Sequence, residues 1–205
     1  AYGGATGAVL LVLSLGGHAV LALLLIRLLL RLPPEARAVN PTLHLSFVGF
    51  IVGAAPALAL GWGWLAEVLF WATLPAALAI WALSLRQFAR AVPPAPLRPL
   101  LAIHLAPAAL FGTVAGLLAR PELAVLFTGL GLVYAILLVA AGRWLLEAGV
   151  TAMWGAFTFP HAALAMALLV VGGVWLWPGV VVTVLALGVI PAILWWVLKR
   201  WPGGK

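Results

Sequence analysis

The side chains with the widest chemical repertoire in this sequence are four histidines, His18, His44, His104 and His161. His18 and His161 fall near the middle of long apolar runs. Two histidines at one depth on adjacent helices could ligate a haem, as in an electron-transfer protein. The simpler use is a hydrogen bond to a neighbouring helix, which is what a single histidine in an apolar helix most often makes. His44 and His104 lie nearer the ends of their runs. Hydrolytic chemistry finds no constellation. Aspartate is absent, and Ser14, Ser46 and Ser84 lack an evident histidine and acid partner. No glycine-rich loop precedes a lysine at phosphate-loop spacing. The lack of cysteine removes disulfides, thiolate metal sites and thiol nucleophiles. These residues predict a protein that is not an enzyme and holds no metal; outside the haem alternative, they predict no cofactor.

The elements that position these side chains are set by composition. Of 205 residues, 66% are hydrophobic and 7% charged, too little polar surface to coat a soluble globule. Seven apolar stretches, roughly 7–31, 42–61, 64–88, 99–119, 122–145, 151–177 and 179–199, are each about long enough as a helix to cross a hydrocarbon core of ~30 Å. The expected fold is all-α: a polytopic transmembrane helix bundle of about seven spans, forming one domain over residues 1–205. Pro33, Pro34 and Glu35 end the first span, and Gly61-Trp62-Gly63-Trp64 makes a tight turn. Pro93, Pro94, Pro96 and Pro99 punctuate the longest connection. Arg120-Pro121-Glu122 and Trp177-Pro178-Gly179 are the expected hairpin turns. Ala1 to Ala8 carry no basic stretch before the first apolar run, so no signal peptide is expected here and the native start is expected to lie upstream.

Charge then orients the bundle. Arg27, Arg31, Arg37, Arg86, Arg90, Arg98, Arg143, Lys199, Arg200 and Lys205 fall on one side of the seven-span count, and Arg120 alone falls on the other. That side is expected to be cytoplasmic, with Ala1 outside and Lys205 inside, in a bacterial inner membrane. Tryptophans 62, 64, 144, 175, 177 and 201 sit at span ends, as interfacial residues do. The net charge of +7 is scattered singly and in pairs, so nucleic acid is not an expected partner. Glu67, Glu122 and Glu147 lie close to span ends. A coupled cation carrier usually keeps a carboxylate inside the bilayer. Its lack here favours a passive path, an anionic substrate or no transport.

Spans two and four each pair glycines at four-residue spacing with a proline: Gly49 and Gly53 before Pro56, and Gly112 and Gly116 after Pro107. Such residues serve either tight helix packing or the wall of a kinked pore. Span six carries Trp154-Gly155-Ala156-Phe157-Thr158-Phe159-Pro160. This segment resembles the penultimate helix of the tellurite-resistance, C4-dicarboxylate transporter and slow anion channel family. Leu97 to Ala108, with Leu105-Ala106-Pro107, resembles that family's seventh helix.

The resemblance implies part of a ten-helix, five-hairpin anion channel fold whose kinked odd-numbered helices line a path plugged by a phenylalanine. Spans two, four and six then resemble the third, seventh and ninth helices, with no counterpart here of the first helix or the fifth–sixth hairpin. It further implies passage of small anions, dicarboxylate or inorganic, and a homotrimer with one path per subunit. An accessory membrane subunit without a path of its own is the alternative.

Residues two apart on a helix point ~200° away from one another, so Phe157 and Phe159 cannot both plug one path. On α-helical geometry Phe159 shares a face with the smaller Gly155, Ala156, Ala162, Ala163 and Met166. Phe157 shares one with Met153, Trp154, Pro160, His161 and Leu164. Phe159 is therefore the first gate candidate and Phe157 the second. The lining and kink candidates are Gly49, Gly53, Pro56, Pro107, Gly112, Gly116, Gly155, Pro160 and Ala163.

Overall fold

A computed structural model describes residues 4–33, 37 and 39–200. Ala1, Pro34, Glu35, Trp201 and Lys205, named above, lie outside the described residues. Every regular element among the described residues is helical. Six helical stretches are long and apolar enough to cross a membrane: Ala5–Arg31, Gly63–Phe88, Ala95–Leu117, Pro121–Ala140, Ala152–Val171 and Gly173–Lys199. The chain is an all-α integral membrane protein. Its backbone contacts divide it into two compact units, residues 1–89 and 90–205.

The first unit contains α1 (Ala5–Arg31), α2 (Leu43–Phe47), a 3-10 stretch Gly49–Gly53, α3 (Ala54–Ala59) and α4 (Gly63–Phe88). The expected span 42–61 is therefore not one helix but three short pieces, and its apolar part Gly49–Ala59 is shorter than the other spans. Two glycines with low helix propensity and a proline without an N–H explain the interruption. His18 of α1 pins this broken segment. Its Nε2 lies 3.0 Å from the Ser46 carbonyl, and its ring meets Phe50 edge-on at 4.3 Å between centroids. Gly49 makes room for that ring, because a Cβ there would sit 2.8 Å from His18 Cε1.

The second unit runs from a 3-10 stretch Ala95–His104 into α5 (Leu105–Leu117), then α6 (Pro121–Ala140) and α7 (Gly142–Leu145). A second 3-10 stretch, Ala152–Phe157, leads into α8 (Thr158–Val171), and a short one, Gly173–Trp175, into α9 (Leu176–Lys199). Helix α5 is the centre of the unit. It packs against α6 and α8, while α9 packs on the far side of α8. Ten of the 13 residues of α5 are buried.

One device recurs in both units. Pro56, Pro107 and Pro160 are each the third residue of an α-helix that follows directly on a 3-10 stretch. In the first turn of an α-helix the backbone N–H has no intrahelical acceptor four residues back, so a proline loses nothing there. The 3-10 turns upstream close on i→i+3 bonds instead. By contrast Pro75 and Pro191 lie well inside the continuous helices α4 and α9.

The turns at Gly61 and Arg120 stand where the sequence places them, with Gly61 at φ 77° and Ala119 at φ 55°. The last turn needs correction. Trp177, Pro178 and Gly179 belong to the first turn of α9, and the chain reverses instead at Gly172 and Gly173. Both have positive φ, 65° and 56°, a conformation that favours glycine. In the first unit Arg37 bonds the carbonyls of Leu30 and Leu32, capping the C-terminal end of α1. In the second, Arg98 stacks 4.5 Å over the Trp144 ring, pairs with Glu147 and bonds the Trp144 carbonyl. That cluster ties the start of the 95–104 stretch to α7.

Candidate functional site

The helical element 152–171 carries most of the chemistry singled out above, and its three faces go to three different environments. One face is packed. Pro160, Ala163, Leu164, Ala167 and Leu168 are buried, and the last four join Leu105 and Ala109 of α5 in one apolar cluster. A second face is open: Phe159 is 46% exposed, with Gly155, Ala162 and Met166 exposed beside it. The grouping of Ala163 with Phe159 is thus corrected, since Ala163 points into the packed core. Residues 152–157 are 3-10 rather than α, so α-helical spacing does not carry across Thr158.

The third face lines a groove. Phe157, Trp154, His161 and Leu164 form part of the wall of an apolar cavity of about 690 Å³, completed by α6 and α9. His161 is its one ionisable side chain. Nδ1 of that ring is 2.6 Å from the Phe157 carbonyl, which can only accept, so Nδ1 carries the proton. The ring of Phe157 lies against it, 6.2 Å between centroids. The two phenylalanines therefore do part company as helical geometry requires: Phe157 looks into the groove and Phe159 onto the open face.

The glycine pairs are contact points. A Cβ on Gly53 would sit 3.0 Å from Leu15 Cδ2, one on Gly112 would strike Thr128, and one on Gly116 would lie 2.8 Å from Val170 Cγ1. Gly155 differs, with open space around it. Pro56, Pro107 and Pro160 mark the 3-10 to α junctions, and the structure brings Pro107 and Pro160 together in one unit with Gly112, Gly116 and Ala163. Comparison with protein-family models, curated proteins and solved structures finds no match.

What the side chains can do is then decided by their own geometry. Nε2 of His18 donates to the Ser46 carbonyl, which can only accept, so the ring is spent on holding the 43–53 segment against α1 through that nitrogen. Among the described residues no group of three or more histidines, cysteines or carboxylates could hold a metal ion. Glu67 accepts from Trp71 Nε1 at 3.0 Å near the N-terminal end of α4. Sequence inspection did not find the groove. The available signal was a seven-residue recurrence, Ala186 and Ile193 on α9 with Arg200 at its C-cap, which follows apolar residues on one side of the helix with an arginine.

Proposed function

We propose that this chain forms part of the wall of a membrane path for small anions, with the Phe159 ring as its obstruction. The fold would correspond to part of a five-hairpin anion channel. The observation that carries this reading is the open face of the 152–171 element, where one large ring stands among Gly155 and Ala162. Supporting it are the three proline-marked 3-10 to α junctions and the placement of Glu67, Glu122 and Glu147 near helix ends. A path without mid-membrane carboxylates suits anions, because a buried negative charge would repel them. A specific observation favours a second reading, an accessory membrane subunit: the glycine faces of α5 are filled by Thr128 and Val170.

Anion flux in proteoliposomes separates the two. Phe159→Ala removes a steric barrier, so flux of nitrate or a small dicarboxylate should rise at least several-fold over the unaltered chain. Phe157→Ala should change flux little, since that ring faces the groove. Equal flux from the unaltered chain and Phe159→Ala, in folded protein, would defeat the gate and favour the accessory role.

The basic ends of the helices are assigned to the cytoplasm. The charge bias motivates this, as cytoplasmic loops hold the excess of arginine and lysine. Ala91→Cys, at an exposed position, should stay unlabelled by an impermeant thiol reagent in intact cells, whereas Glu122→Cys should react. The reverse pattern overturns the orientation.

A further inference from the structure

A groove that is apolar along its length and basic at one end fits an amphiphile. The cavity of the second unit is apolar along its length, and two of the elements that line it carry arginines near their ends. On α9 its lining includes Ala186 and Ile193, seven residues apart, and Arg200 is the next position in the series. Seven residues advance an α-helix by ~700°, close to two full turns, so Arg200 continues the groove side of α9. Gly142, Leu145 and Leu146 of the α7 region also line the cavity, and Arg143 is carried by the same short helix.

Both arginines are exposed. Arg200 commits Nη1 to the Val150 carbonyl at 2.7 Å and keeps its other donors. Neither has a carboxylate partner among the described residues, since Glu147, the nearest acid in sequence, is held by Arg98. Two exposed guanidinium groups are thus carried by elements that line the groove, with donors left for an anion.

We infer that the groove seats an acyl chain of a phospholipid with a net negative headgroup, whose phosphate is bound by Arg143 and Arg200. The apolar lining solvates the chain. A guanidinium matches phosphate oxygens in pairs, and basic sites between membrane helices at the interface select anionic headgroups. A volume of about 690 Å³ is on the scale of a small-molecule site rather than of a protein helix. A neutral phospholipid could fill the groove equally well but would bring no net charge to the two arginines. This inference is independent of the proposed anion path.

The test compares retention of dioleoyl phosphatidylglycerol and dioleoyl phosphatidylcholine by the purified full chain, using native mass spectrometry with thermal melting as a folding control. Phosphatidylglycerol should be retained roughly 25-fold more strongly, about fivefold for each arginine. The double variant Arg143→Gln/Arg200→Gln should bring the ratio close to one, while Arg143→Lys/Arg200→Lys should keep most of it. Ala186→Trp keeps both charges but fills the groove, and should weaken retention of both lipids. Arg120→Gln, at the other end of the unit, should leave the ratio unchanged. Equal retention of the two lipids by the unaltered chain overturns the inference, as does a preference that survives the double glutamine variant. Retention of a neutral long-chain alcohol that depends on His161, without phosphatidylglycerol preference, would also overturn it.

Discussion

Phe111→Ala should lower the stability of the second unit by about 2–3 kcal/mol. Phe111 is fully buried in α5, and its ring meets Phe127 of α6 at 5.1 Å between centroids. In a soluble protein, deleting such a ring removes both the transfer of apolar surface out of water and the packing. In a bilayer the transfer contribution largely vanishes, because a separated helix would expose the ring to acyl chains rather than to water. What remains is the dispersion energy lost around an unfilled cavity, which places the effect at or just below the low end of the range for soluble cores. Thermal or denaturant unfolding in a fixed detergent, followed through tryptophan fluorescence, measures it. Phe159→Ala is the control. That ring is half exposed, so its removal should cost well under half as much. Equal losses at the two sites would show that α5 is not the packing centre.

Gly112→Ala should be comparably severe through the opposite defect. The added methyl group would strike the Thr128 side chain and would lie 3.0 Å from the Thr128 backbone nitrogen. A flexible side-chain end can swing aside, but backbone cannot, so α6 must move away from α5 along the whole contact. Overpacking of this kind costs about 1–3 kcal/mol, and a backbone collision belongs at the upper end. Gly129→Ala, in α6 itself, provides the comparison. Its Cβ would meet only Trp175 Cη2 at 3.7 Å, an ordinary contact. There the gain in helix propensity of about 0.5–1 kcal/mol should show as unchanged or raised stability. If both substitutions were neutral, α5 and α6 would not approach as closely as described. If Gly112→Ser were tolerated as well, the contact with Thr128 could not be the cause of any loss at this position.

Part of the candidate site was readable before any tertiary contact was known, and the readings that needed correction failed for separate reasons. The separation of Phe157 from Phe159 follows from helical geometry, and the structure sends the two rings to different faces. The error at Ala163 arose at the edge of a face: Phe159 and Ala163 both lie in α8, ~40° apart around its axis, and Ala163 falls on the side that packs against α5. The turn misplaced at Trp177 came from reading a Pro-Gly pair as a reversal, where the chain turns at Gly172 and Gly173 instead. Proline inside the first turn of a helix is as natural as proline in a loop, whereas two adjacent positive-φ residues can only be a reversal.

By itself the sequence determined that the chain lives in a membrane, where its long helices run and where most of them end. Those properties depend on length and transfer free energy, which are local and additive along the chain. Tertiary structure alone decided which helix is inside. Within the second unit α9 buries two residues and α5 buries ten, yet both are apolar all round. In water the polar face of a helix would reveal its inward face. In lipid the solvent is as apolar as the core, so no stripe distinguishes them. Burial is then settled by fit, by Gly112 against Thr128 and Gly116 against Val170, and fit depends on partners that are distant in sequence.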